Sequence, residues 1–205
     1  FISAGIINVP SEYVTIQEGI NAANTGDTVL VAQGTYYENL FLEKEIVLTS
    51  NAIYDELSSE WLLNENILNT IISAPEEPLN SNFGSCLIIR NNEELIEPRI
   101  MGLTFSNGQG TSMRVVDCDE TADKSSKIKA GGAILVFKAY PTVHYNRFVQ
   151  NGLSGPQMGG GNTETNSIAE GGALALFDDE DIEFDEDRSR TFQNTTINRN
   201  RPTSV

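Results

Sequence analysis

Two hydrophobic periods divide the start of the chain. The first is helical. Thr15 is followed three residues later by Glu18, a capping-box pair in which each side chain accepts the other's backbone N–H at a helix start. Ile16, Ile20 and Ala23 then recur on one helical face, and Gly26 stands where a left-handed residue closes a helix. A helix is predicted over residues 15–24. Beyond it the period drops to two. Thr28–Ala32, Tyr37–Leu42 and Ile46–Ser50 are short β-branched and aromatic runs, separated by Gly34 or by a charged turn. They follow one another too closely for crossover helices, which excludes a doubly wound α/β fold. Helix-like spacing returns at Tyr54, Leu57, Trp61 and Leu62, so the excursion 51–69 is expected to pack a short helix against the strands.

The strand text then repeats. Met101-Gly-Leu-Thr-Phe-Ser-Asn107-Gly108 is echoed by Tyr145-Asn-Arg-Phe-Val-Gln-Asn151-Gly152 and, more loosely, by Asn194-Thr-Thr-Ile-Asn-Arg-Asn200. Aligning the asparagines gives steps of 151 − 107 = 44 and 200 − 151 = 49 residues. Gly131-Gly-Ala-Ile-Leu-Val-Phe137 recurs as Gly171-Gly-Ala-Leu-Ala-Leu-Phe177, a step of 171 − 131 = 40. Repeated strands and turns without hairpin dipeptides point to a solenoid, whose coils stack about 4.8 Å apart and share a core none could bury alone. In such a stack Asn107, Asn151 and Asn200 are expected to form a ladder of left-handed turn residues. The segments 109–130 and 153–170 leave at the same point of the unit and should lie side by side. The last unit is longer than its counterpart, and the surplus coincides with the acidic stretch 178–188. Three inserts on one flank are therefore expected, and loops on a rigid scaffold are where function tends to sit.

VTIQEGINAANTGDTVLVAQGTYYEN, residues 14–39, resembles the capped first coil of right-handed parallel β-helix proteins of the pectin-lyase-like superfamily. IMGLTFSNG, GGAILVFKAYPTVHYNRFVQNG and GGALALF resemble its generic repeat-containing members, which are often secreted. The resemblance implies an all-β fold: a right-handed parallel β-helix (solenoid) with an N-terminal capping α-helix, one domain over residues 1–205. It implies no single activity, because this fold hosts lyases, hydrolases, esterases, epimerases and inert spikes. Of the Asn-x-Asp, Asp-Asp, Gly-His-Gly and Arg-x-Lys elements of the galacturonan hydrolases, only Asp178-Asp179 is matched. The Asp-Phe-(Ile/Val)-Phe-Gly block of the pectin methylesterases is absent. Pectate lyases set calcium-binding aspartates beside an arginine, but Arg147 has no Asp in its own coil. No catalytic residue carries over. The sequence stops at Pro202-Thr-Ser-Val205 without a recognisable cap, so a further domain, more coils or a partner (another copy included) is expected at that end.

Charge narrows the partners. Lys and Arg total 13 against 29 Asp and Glu, a net charge of −16 that repels nucleic acid and anionic membranes. No apolar run approaches the roughly 18 residues needed to span a bilayer. The opening Phe1–Ile7 is too short for a signal peptide and fits the mature start of a secreted protein. Cys86 and Cys118 make no disulfide framework; they either tie the first insert to a coil or stay as free buried thiols.

Candidate chemistry is sparse. His144, the single histidine, reads as an outward strand residue with no adjacent partner for general-base work. Asp181, Glu183 and Asp185 alternate with Ile182 and Phe184, which sets three carboxylates on one face of a strand about 7 Å apart. Such a row is a calcium candidate of low affinity, with Asp117, Asp119 or Glu164 from neighbouring inserts completing the shell; the alternative is a solvated acidic face. Asp117–Asp123 lacks the glycine and terminal glutamate of an EF-hand. Trp61 with Tyr54 is either a sugar-stacking pair or an anchor for the excursion. Calcium is the one cofactor suggested. Together these features describe a secreted module at the cell surface or in the extracellular medium, presenting stacked loops to polysaccharide or cell-surface glycan without catalysis. The alternative is a carbohydrate-active enzyme, a polysaccharide lyase or hydrolase, with its site among the inserts.

Overall fold

The computed structural model describes residues 4–78, 80, 82–91, 94–116, 125–153, 168–170, 173–177, 191–193, 196–198 and 201–202. These are mostly β, with few helical residues and largely parallel sheets. After β1 (Ile6–Val9) and helix α1 (Ile16–Ala22), the chain makes successive passes through three sheets. The first pass comprises β2 (Thr28–Val31), β3 (Gly34–Tyr37) and β4 (Leu40–Leu42). The second holds β5 (Val47–Ser50), α2 (Glu65–Asn69), β6 (Thr70–Ser73), β7 (Phe83–Gly84) and β8 (Leu87–Arg90). In the third come β9 (Arg99–Met101), β10 (Thr104–Ser106), β11 (Gly110–Val116), β12 (Ser125–Ala130) and β13 (Ile134–Phe137). The fourth has β14 (Thr142–His144), β15 (Arg147–Val149), β16 (Gly152–Leu153), β17 (Ile168–Glu170) and β18 (Leu174–Phe177); β19 (Thr191–Gln193), β20 (Thr196–Asn198) and β21 (Arg201–Pro202) follow.

Sheet A is β1-β2-β5-β9-β14-β19, sheet B is β3-β6-β10-β15-β20 and sheet C is β4-β8-β13-β18, each parallel throughout. Alternation decides which side chains meet. Val29, Leu48, Ile100 and Val143 from sheet A, Ile72, Phe105 and Phe148 from sheet B, and Leu40, Leu87 and Ile134 from sheet C share one core. Each of these residues is fully buried. Phe105 and Phe148 stack on successive passes with ring centres 5.6 Å apart.

That inward pairing sets the register, and it corrects the asparagine ladder. Phe105 lies opposite Phe148, a step of 148 − 105 = 43, one residue short of the asparagine alignment. Ser106 therefore meets Val149, and the equivalent left-handed turn residues are Asn107 (φ 58°) and Gln150 (φ 57°). Asn151 lies one place beyond, buried, with its side chain bonded to the preceding pass. The Gly131/Gly171 repeat does pair as its text suggests, Ile134 on Leu174, a step of 40. At the corner between sheets A and B, Gly102 (φ 69°) and Tyr145 (φ 53°) are likewise equivalent and left-handed. Gly102 has a second reason to lack a side chain, since a Cβ there would come within 2.8 Å of the Ala52 Cβ.

The helix forms where the capping box predicts, with both reciprocal bonds from Thr15 and Glu18 in place. Gly26 does not close it. The helix ends at Ala22 with Ala23 extended, and Gly26 (φ 91°) turns the chain later, donating its N–H to the Glu45 carbonyl. The helix end is held instead by Lys44, whose Nζ donates to the carbonyls of Ile20, Asn21 and Ala23 at 3.2, 2.7 and 2.7 Å. At the other end the Glu38 carboxylate accepts the N–H groups of Ile16 and Gln17. The predicted strand 37–42 divides beside Glu38, where the chain passes from β3 of sheet B to β4 of sheet C. Two free edges at this end, those of β4 and β1, are blunted by side chains. Gln17 accepts from the Phe41 N–H (2.7 Å) and donates to the Phe41 carbonyl (3.1 Å), standing in for a strand beside β4. Glu12 takes up the N–H and carbonyl of Asn8 on β1. Such blocking discourages edge-to-edge pairing.

The excursion 51–69 packs on the A–B corner as expected, but as two 3₁₀ turns (Asn51–Tyr54 and Trp61–Leu63) leading into α2. Ala52, Trp61 and Ile67 form its own small core with Tyr145, and Tyr54 points to solvent.

Candidate functional site: the insert flank

The inserts are built from the B–C corner. Segment 109–130 leaves as the hairpin β11–β12, registered Thr111 on Ala130 through Val116 on Ser125. β7 of the preceding pass pairs antiparallel with β11. Segment 153–170 returns as β17, parallel to β12, with Ile128 on Ile168 and Ala130 on Glu170. The two inserts thus share one sheet, side by side as their common exit point predicts. The third does not leave from there. It is bounded by β18 of sheet C and β19 of sheet A, so it begins at the C–A corner, and residues 178–190 themselves lie outside the described residues. Asp181, Glu183 and Asp185 lie outside the described residues, as do Asp117, Asp119, Glu164, Gly159–Gly161 and Cys118.

The insert sheet sits on the outward face of sheet C. Ile88, Leu135 and Ala175 point away from the main core yet are buried, because Ala130 and Phe83 from the insert strands cover them. Phe41 completes this layer with its ring edge-on to Phe83, centres 5.3 Å apart. Burying both faces of β8 and β13 requires continuous apolar runs, and Leu87-Ile-Ile and Ile134-Leu-Val-Phe are such runs.

A buried polar seam joins the flank to the three parallel sheets. The Ser85 hydroxyl lies 2.7 Å from that of Thr111 and donates to the Gly131 carbonyl at 2.6 Å. The next residue, Cys86, is a free thiol 3.2 Å from the Ser106 carbonyl. Burial pushes this thiol up to about 12, so it is neither thiolate nor nucleophile at neutral pH. Asn151 accepts from the Gly108 N–H (2.9 Å) and donates to the Phe105 carbonyl (3.0 Å). These contacts hold one pass to the next. Lys129, on β12 beside the β17 insert strand, is half-buried, and burial lowers its pKa. Sequence reasoning overlooked Ser85, Thr111 and Lys129; the signal available for the first two was their place beside a Gly or Cys at a strand start.

His144 stands apart from the flank, on sheet A. It points outward but is half-buried rather than solvent-facing, and its covered Nε2 has no hydrogen-bond partner among the described residues. Burial, then the charge of Arg99, lowers its pKa and favours the neutral ring. Its neighbour Tyr145 meets Trp61 edge-on at 5.6 Å, which makes Trp61 the anchor of the excursion. Among the described residues no three His, Cys, Asp or Glu side chains gather into a metal site, and no helix is long and apolar enough to cross a membrane. No family model, curated protein or solved structure matches this chain.

Proposed function

We propose that the chain is a right-handed parallel β-helix of the pectin-lyase-like kind, exported to the cell surface or the extracellular medium. It binds polysaccharide or cell-surface glycan through loops raised on the insert sheet and turns nothing over. The solenoid reading is supported by strand order: each pass visits sheets A, B and C in turn and advances one strand in each. The observation that carries the functional reading is the pairing of β12 with β17, which brings two inserts from successive passes into one sheet. Carbohydrate-binding faces need such breadth more than they need depth, because a glycan chain is read along several sugar units. The acidic segment around Asp181, Glu183 and Asp185 adds weak calcium binding to this reading, an ion suited to flexible carboxylate ligands.

The experiment compares the whole chain with a variant in which residues 117–124 are replaced by Asn-Gly, closing the β11–β12 hairpin with a two-residue turn. Both are passed over immobilised glycans and incubated with pectin, polygalacturonate and alginate. Retention by the parent, lost in the variant at an unchanged melting temperature, is the expected result. Release of reducing or unsaturated ends, abolished by replacing an insert carboxylate, would establish the carbohydrate-active enzyme instead. Retention by neither protein would overturn the reading. Melts in EDTA, calcium and sodium chloride of matched ionic strength test the ion: stabilisation by calcium alone, growing with its concentration, is expected. Equal shifts in both salts would mean screening.

A further inference from the structure

The two Asn-Gly pairs, Asn107-Gly108 and Asn151-Gly152, occupy the B–C corner on successive passes. Asn-Gly is the dipeptide most prone to deamidation, since a glycine nitrogen reaches the asparagine side chain without hindrance from a Cβ. The fold nonetheless requires this text at 107–108. Asn107 is left-handed at φ 58°, a conformation asparagine tolerates better than most residues, and a Cβ on Gly108 would overlap the Gly132 carbonyl.

We propose that Asn107 is a latent deamidation site, guarded by Asn151 of the following pass. The reacting atom is the Gly108 backbone nitrogen. After its proton passes to solvent base, it attacks the Asn107 side-chain carbonyl carbon. A C–N bond forms, and the bond to Nδ2 breaks as this nitrogen takes a proton from solvent and leaves as ammonia; water then opens the resulting succinimide to aspartate or isoaspartate. In the folded chain this nitrogen donates to Asn151 Oδ1 at 2.9 Å, and the Asn107 amide is itself tethered to Ser73 Oγ at 3.0 Å. The protection is mutual. The nitrogen that would attack Asn151 belongs to Gly152, and it donates to the Gly108 carbonyl at 2.8 Å. Asn151 is also buried, whereas Asn107 is exposed to the water that completes the reaction. Opening of this corner therefore converts Asn107 first, adding a negative charge and, in the isoaspartate, an extra backbone methylene where the insert flank departs.

The test is a time course of the whole chain at mildly alkaline pH, native and in guanidinium chloride, read by peptide mass mapping and isoaspartate labelling. Native protein should convert Asn107 well behind the unfolded chain, and Asn151 later still. Asn151→Ala removes the acceptor and should speed conversion of Asn107 about tenfold, the factor one hydrogen bond supplies. Equal rates at Asn107 in native and unfolded chains, or Asn151 converting first in native protein, would overturn the proposal. So would an Asn151→Ala variant with native dichroism and an unchanged rate. Should that variant fail to fold, the wild-type time courses decide on their own, and slow exchange of the Gly108 amide proton is the accompanying result they require.

Discussion

On sheet A the outward column of Thr28, Val47, Arg99 and Thr142 is exposed or half-exposed. On sheet C the corresponding column of Phe41, Ile88, Leu135 and Ala175 is apolar, and its last three members are buried under insert strands. The same backbone ladder serves both sheets, so the difference lies in what the connections bring. Short turns reach sheet A from sheet C in two passes, leaving water outside. At the B–C corner the connections lengthen into strands of their own and fold back over sheet C. The described insert strands are thus a second wall over sheet C, and they bury its outward side chains.

The contrast is broken most severely from within. Ile134→Asp places an unpartnered charge in the shared core and should abolish cooperative melting by circular dichroism, as the cost runs to several kcal/mol. Its neighbour tests the second wall. Leu135→Ala should cost about 2–5 kcal/mol, the range for a buried leucine, whereas Thr142→Ala on the open face should stay within about 0.5 kcal/mol. Equal small effects at 135 and 142 would mean the insert sheet does not stabilise sheet C.

A gentler probe is acid. The Asp27 carboxylate accepts the N–H groups of Gly5 (2.6 Å) and Asn24 (2.8 Å) at the start of sheet A, and these bonds hold its pKa below the usual carboxylate value. A depressed folded pKa contributes stability that is present above the unfolded value, near about 4, and is lost as pH falls through the folded one. Asp27→Asn should therefore melt below wild type at neutral pH, with the gap narrowing steadily on acidification. The smallest effect is expected at the seam between the two walls. Cys86 should ignore a thiol reagent at pH 8 until the chain unfolds, then react fully.

Much of this contrast was legible in the text. Alternation in Thr142-Val-His against the unbroken Leu87-Ile-Ile distinguishes a sheet open on one face from a sheet closed on both. The capping box at Thr15 and Glu18 and the Gly131/Gly171 repeat were equally readable, because each rests on chemistry within a few residues or on identical neighbours. What escaped was set at long range. The Asn107/Asn151 match is one residue out because paired Phe105 and Phe148 rings, not the turn residues, fix the register. Gly26 looked like a helix stop, but Lys44, over twenty residues away, holds the last carbonyls. At the candidate site, the exit point of two inserts was recoverable from repeat spacing. The corner from which the acidic segment leaves was not, since counting residues in an acidic run does not reveal which sheet its flanking strands join.

The side chains that cap β1 and β4 also bear on the order in which the sheets can assemble. Strand pairs at that end close short loops: Ile6 meets Thr28 and Thr28 meets Val47, separations of 22 and 19 residues. Later pairings on the same sheet span 99 − 47 = 52, 142 − 99 = 43 and 191 − 142 = 49 residues. Each doubling of loop length adds about 0.6 kcal/mol of closure entropy, and every later strand also needs an existing edge to settle on. Assembly from that end starts with the shortest closures and offers every later strand an edge. Because Glu12 and Gln17 occupy the outer edges of β1 and β4, sheets A and C add strands on one side only, and the register of each strand is inherited from the one before it.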